Sequence, residues 1–114
     1  MSQTYRAPDV SADQVTPVFV RDQLLLCFES ANREFMRLLE QPVTDEQLKQ
    51  QVRTFVEGVF TQCGVSYVTP NKSGIVAAIS ECKSNAEKMM GPKGATIIEH
   101  HYDEMMKLVN RLQG

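Results

Sequence analysis

Two adjacent histidines flanked by carboxylates are the residues of this sequence whose types and spacing best suit chemistry. They lie in the run from Glu99 to Glu104, which also contains Asp103. On a helix, His100 and Glu104 are one turn apart and share a face. Imidazole and carboxylate are ligands that zinc and iron both accept. His100 and Glu104 are therefore the candidate metal ligands of this sequence.

Other features of the same run argue against a metal site. The His-Glu-x-x-His signature of zinc enzymes and the paired Glu-x-x-His motifs of di-iron bundles are both absent. Neighbouring side chains on a helix point about 100° apart, so His100 and His101 do not readily bind one ion together. We expect His101 to border an apolar helix face with its ring half buried. A solvated polar face is the simpler interpretation, and no cofactor is predicted.

No motif places a catalytic nucleophile beside a base. Serine and cysteine residues are present, but nothing of the Gly-x-Ser-x-Gly type positions one of them. Residues 91–96 resemble a phosphate-binding loop, yet the lysine precedes the second glycine and a predicted helix, not a strand, comes before. We predict that one helix stops and another starts there. No catalytic residue is predicted, although a long-range pairing of a cysteine with a histidine stays open.

The three cysteines, Cys27, Cys63 and Cys82, are far apart in the sequence and form no Cys-x-x-Cys pair. An odd number at such spacings fits neither a disulfide framework nor a zinc ribbon. Each cysteine lies on or beside an apolar helical face. We therefore predict that they act as small buried hydrophobic residues.

Lysines give one part of the chain a mildly basic character, although the whole chain has a net charge of −2. Proteins that bind nucleic acid usually show clustered arginines and stacking aromatic residues, and both are missing here. A solvated lysine face is the main interpretation, and an accessory contact with nucleic acid is a weaker alternative. The residues concerned are Lys72, Lys83, Lys88 and Lys93.

The elements that must position these residues are helices, because apolar residues recur at spacings of three and four. Helices are predicted near residues 16–40, 44–63, 70–90 and 94–113. Thr44 and Gln47 have the spacing of a capping box, and Gly91-Pro92 is a strong stop signal. Gly58, inside the second helix, indicates a close helix crossing. The predicted fold is an all-α, antiparallel four-helix bundle, with a dimer as an alternative to a monomer.

Length and composition are those of one ordinary globular domain of 114 residues. Residues 1–14 lack apolar periodicity and are predicted to form a flexible arm, with the bundle domain in residues 15–114. No apolar run reaches the roughly 20 residues of a membrane-spanning helix. The first residues also lack the apolar centre of a secretion signal, so we expect a cytoplasmic protein.

Apolar positions exceed what four narrow helix faces need, which favours self-association. The first predicted helix has an unusually broad apolar stripe, and Met90 and Met106 lie outside the predicted seams, whereas Met89 and Met105 lie on them. We therefore predict a small non-enzymatic interaction or assembly protein that acts through helix faces. The alternatives are a metal- or ligand-binding bundle centred on His100 and Glu104, and the lysine contact with nucleic acid.

Overall fold

The computed structural model describes residues 5–112, and in this range the regular elements are all helices, with no strands. A short 3-10 turn, Ala12–Gln14, precedes three helices: α1 (Pro17–Leu38), α2 (Asp45–Gln62) and α3 (Lys72–Val109). The all-α prediction is confirmed. The prediction of four helices is not confirmed, because the third and fourth predicted helices form one element, α3.

Helix α3 is interrupted at Gly91, whose dihedral angles are φ 71° and ψ −167°. Only glycine adopts this backbone region without strain. A straight helix of 38 residues would be about 57 Å long, whereas the longest dimension of the molecule is 41 Å. The Lys83 ammonium lies 5.2 Å from the centre of the Tyr102 ring, across the break. The first segment of α3 (residues 72–90) therefore folds back beside the second segment (residues 92–109).

Side-chain caps explain where the helices begin. Thr44 and Gln47 form the predicted capping box at the start of α2. Helix α3 begins two residues later than predicted, because Asn71 caps it. The Asn71 Oδ1 accepts a hydrogen bond of 2.7 Å from the Gly74 N–H. The Thr69 N–H instead donates to the Ser66 Oγ at 3.0 Å, in the turn before the helix.

The core lies where the three helices meet. Residues from all three helices are almost completely buried, including Val20, Leu24, Val56, Ile79 and Met105. Three packing predictions were wrong. Met89 is 76% exposed although it was placed on an apolar seam, and His101 is 2% exposed although it was expected to be half buried. Gly58 makes no close crossing, since a Cβ there would meet nothing within 4 Å.

The segment before the 3-10 turn lies against α1 and α3. The Tyr5 hydroxyl donates to the Gln23 Oε1 at 2.7 Å, and the Ala7 N–H donates to the Glu104 Oε1 at 3.0 Å. Residues 1–4 of the predicted arm and residue 113 of the last predicted helix lie outside the described residues. The flexibility of residues 1–14 stays a prediction. Within residues 5–112, no helix combines the length and the apolar composition needed to cross a bilayer.

The conformation of Gly91 predicts a position-specific effect of alanine. Gly91→Ala should lower the free energy of unfolding by roughly 1–3 kcal/mol, because a Cβ is strained in that backbone region. Gly58→Ala is the matched control, and it should raise the same free energy by about 0.5–1 kcal/mol because Gly58 is helical and has free space around it. Urea unfolding followed by circular dichroism measures both. A Gly91→Ala variant as stable as the wild type would contradict the assigned break.

Candidate functional site

His101 is the buried polar residue that ties α3 to α1. Its Nδ1 lies 2.8 Å from the Ile97 carbonyl oxygen, and its Nε2 lies 3.0 Å from the Ser30 Oγ. A carbonyl oxygen only accepts hydrogen bonds, so the ring proton is on Nδ1. In the neutral ring, Nε2 therefore accepts from the Ser30 hydroxyl. The Glu34 Oε2, 3.9 Å from Nε2, is buried without a hydrogen-bond partner among the described residues.

The distance between Ser30 and His101 is that of a catalytic nucleophile and its base. The groups around this pair differ, however, from those of a catalytic site. In a catalytic triad, a carboxylate orients the imidazole from the side opposite the nucleophile. Here the Ile97 carbonyl occupies that side, and the Glu34 carboxylate lies on the same side as Ser30. Because the ring of His101 is almost completely buried, a substrate has no approach to it. The contact supports packing of α1 on α3.

No further side chain among residues 5–112 joins the two predicted ligands, His100 and Glu104, in a metal site. His100 is exposed, and both carboxylate oxygens of Glu104 already have partners. The Glu104 Oε1 accepts from the Ala7 N–H, and its Oε2 lies 2.6 Å from the Lys107 Nζ. No group of three or more His, Cys, Asp or Glu side chains in residues 5–112 is arranged to hold a metal ion. A metal site at His100 and Glu104 stays a prediction that metal analysis of the purified protein would test.

All three cysteines are free thiols, and two of them are buried. Burial raises the pKa of the Cys27 thiol to about 12, with a smaller effect from the negative charge of Glu104. Burial likewise raises the pKa of Cys82 to about 12, with smaller effects from Cys63 and Glu81. The Cys27 thiol also donates to the His101 carbonyl oxygen, at 3.5 Å. Cys27 and Cys82 therefore pack as small hydrophobic residues, whereas Cys63 is only partly buried.

The lysines of α3 differ in their surroundings. Lys83 lies 3.0 Å from the Glu87 carboxylate and over the Tyr102 ring, so it helps to hold the two segments of α3 together. The hydrogen bond to Glu87 raises the pKa of Lys83. Lys72, Lys88 and Lys93 are exposed. A contact of these lysines with nucleic acid stays a prediction.

An apolar groove, which sequence reasoning did not find, lies between α1, α2 and the first segment of α3. Its volume is about 300 Å³. Buried Phe28, Val52 and Ala86 contribute to its lining, while Met89 is mostly exposed. The rings of Phe28 and Phe55 meet edge to face at 5.9 Å. The apolar lining residues are Phe28, Phe35, Met36, Val52, Phe55, Ala86, Met89 and Met90, and the polar ones are Asn32 and Gln51.

The break in α3 helps to position one wall of the apolar groove. Met89 and Met90 are the last two residues before Gly91, where the chain turns back. Gly94, in the first turn after the break, is packed so tightly against Met90 that an added Cβ would overlap its side chain. The absence of a side chain at Gly94 therefore lets Met90 pack against the core beside the groove.

A second, more polar hollow adjoins the apolar groove, because Met36 lines both. Four charged residues contribute to it, and we call them the charged rim: Arg33, Arg37, Glu40 and Asp45. Arg33 lies 3.3 Å from the Asp45 carboxylate. The side chains of Arg37 and Glu40 are both exposed, and neither forms an ion pair or a hydrogen bond in the part of the chain that the structure describes.

The chain matches no protein-family model, no curated protein and no solved structure. The features of the molecule that bear on function are therefore the groove, the charged rim and the buried polar contacts.

The raised pKa values of the two buried thiols predict selective alkylation. At about pH 8, iodoacetamide should modify Cys63 in the native protein and leave Cys27 and Cys82 unmodified, because alkylation requires the thiolate. Intact-mass measurement should show one adduct, which Cys63→Ser should remove. Denatured protein, the positive control, should accept three adducts. Modification of Cys27 at the rate of Cys63 would contradict this assignment.

Glu104 predicts a dependence of stability on pH. Its hydrogen bonds from Lys107, and then from the Ala7 N–H, lower its pKa below the ordinary value of 4.5. A carboxyl with a lowered pKa stabilises the folded state above its unfolded pKa, and this contribution is lost as the pH falls through the folded value. The variant Glu104→Gln keeps an acceptor for Ala7 but loses the charge. It should be less stable than wild type by a few tenths of a kcal/mol near neutral pH.

The difference between the stabilities of these two proteins should shrink as the pH falls through the lowered pKa of Glu104, because the wild-type carboxyl then becomes protonated. Urea unfolding across this pH range measures it. A difference that persists unchanged at acidic pH would show that the charge of Glu104 is not its cause.

Proposed function

We propose that this protein is a small non-enzymatic helical interaction or assembly protein, and that the apolar groove is where it contacts its partner. The observation that carries the proposal is an open apolar groove whose lining includes buried core residues and the exposed Met89. Its volume of about 300 Å³ lies at the lower end of the range of ligand sites. An apolar side chain of a partner fits a space of this kind.

The residues of the groove support a contact with an adaptable partner. Methionine is flexible and polarizable, and it is common at surfaces that bind varied apolar groups. Met36, Met89 and Met90 all line the groove. Leu38 is 55% exposed at the end of α1, shortly after Phe35 and Met36. Large apolar side chains left in water favour association, since burial of such a side chain contributes about 1.5–3 kcal/mol.

The proposal includes the finer architecture and the location of the protein. We treat the two segments of α3 as separate helices of an antiparallel four-helix bundle, with the groove beside the break at Gly91. We propose a cytoplasmic location, because three free thiols suit a reducing compartment. The absence of an accessible nucleophile and base at Ser30 and His101 supports a role without catalysis.

Filling the groove should abolish its capacity to bind apolar groups. Ala86→Leu places a larger side chain at a position that lines the groove. The neutral dye Nile red should bind the wild type, and its affinity for Ala86→Leu should be roughly tenfold lower because the space is occupied. Fluorescence titration at micromolar protein concentration measures both affinities.

Ala77→Leu is the matched control, because Ala77 is an exposed residue of the same α3 segment and does not line the groove. It should bind the dye as the wild type does. Equal binding by the wild type and Ala86→Leu, or no binding by either, would contradict the proposed role of the groove.

A further inference from the structure

We propose that the partner at the apolar groove is a second copy of this chain, in a two-fold symmetric dimer where Arg37 of each copy pairs with Glu40 of the other. This inference rests on the proposed function, because it takes the groove as the contact surface. It adds the identity of the partner and the ion pair that sets the register of the two copies.

The first argument is that the charged rim complements itself. Arg37 and Glu40 carry opposite charges and line the same hollow, which adjoins the apolar groove at Met36. In a two-fold dimer every contact occurs twice, with the two roles exchanged. A surface that carries one free cation and one free anion can therefore satisfy both against its own copy. A partner with charges of one sign would leave Arg37 or Glu40 beside a like charge.

The second argument is that the backbone keeps Arg37 and Glu40 apart within one chain. Residues at this spacing are neighbours on a regular helix and pair readily. Here α1 ends at Leu38, and Glu40 has the left-handed φ of 56°. Neither side chain has an ion pair or hydrogen bond in residues 5–112. Arg33, on the same rim, already pairs with Asp45 at 3.3 Å.

The third argument concerns the apolar part of the same surface. Met89 lines the groove and is mostly exposed, so each copy offers both an apolar space and a flexible apolar side chain. In a two-fold symmetric dimer, the Met89 side chains of both copies are buried when the dimer forms. The net charge of −2 is small, so repulsion between whole chains opposes this association little.

Reversal of the charges at Arg37 and Glu40 tests the dimer directly. Sedimentation velocity from micromolar to several hundred micromolar protein should show a monomer–dimer equilibrium for the wild type. Arg37→Glu and Glu40→Arg should each weaken the dimer roughly tenfold, because each places like charges together at two symmetric positions. The double variant, Arg37→Glu with Glu40→Arg, should restore the affinity to within about threefold of wild type, because both pairs are re-formed with reversed polarity.

Lys72→Glu is the control for a general effect of charge, since Lys72 is exposed and begins α3 at the end away from Gly91. It should leave the dimer affinity unchanged. Circular dichroism should show native helicity for all variants, because every altered side chain is exposed. Met89→Gln should also weaken the dimer, since it puts a polar amide in the apolar contact.

Two results would overturn the inference: a wild type that stays monomeric at several hundred micromolar, or charge variants that dimerise as the wild type does. The Nile red titration separates such a failure from failure of the proposed function. A monomer whose groove still binds the dye, and loses it on Ala86→Leu, keeps an interaction site for a different partner. A dimer of the predicted kind should release the dye as the protein concentration rises, because the second copy covers the groove.

Discussion

The turn of the backbone at Gly91 is the constraint on which the rest of this structure depends. Helix α3 contains 38 residues, and only its reversal brings the second segment back beside α1 and the first segment. That return puts the His101 carbonyl against the Cys27 thiol and the His101 ring against Ser30. It also ends the first segment at Met89 and Met90. One backbone conformation therefore determines both the buried polar contacts and one side of the apolar groove.

Three of the polar residues singled out from the sequence make contacts within the fold. His101 joins α3 to α1, Glu104 holds the N-terminal segment through the Ala7 N–H, and Lys83 spans the two segments of α3. Their hydrogen-bonding groups are therefore engaged in contacts inside the molecule. Arg37 and Glu40 differ from them, since their charges are exposed beside an apolar space. The proposed association therefore rests on these exposed charges and on the apolar groove beside them.

Local rules of helix formation predicted much of the fold and little of the groove. The capping box of Thr44 and Gln47 and the break of α3 at Gly91 depend on neighbours in sequence, so the sequence alone was sufficient to locate them. The burial of His101 depends on Ser30, which is far away in the chain. The exposure of Met89 depends on where the neighbouring helices diverge. Apolar periodicity indicates which face of a helix is apolar, but it does not show how deeply a neighbouring helix covers that face.

The groove combines a rigid part with an adjustable one, and this bears on how a partner is accommodated. Phe28 is held in the core and meets Phe55 edge to face, so the aromatic wall keeps its shape. Met89, in contrast, is free to change rotamer because most of its side chain is in water. In the proposed contact, rotation of side chains at the edge fits the partner while the backbone stays in place, as in most preorganised interfaces. Since the aromatic wall is already ordered before contact, association loses less conformational entropy there than it would at a surface of flexible side chains alone.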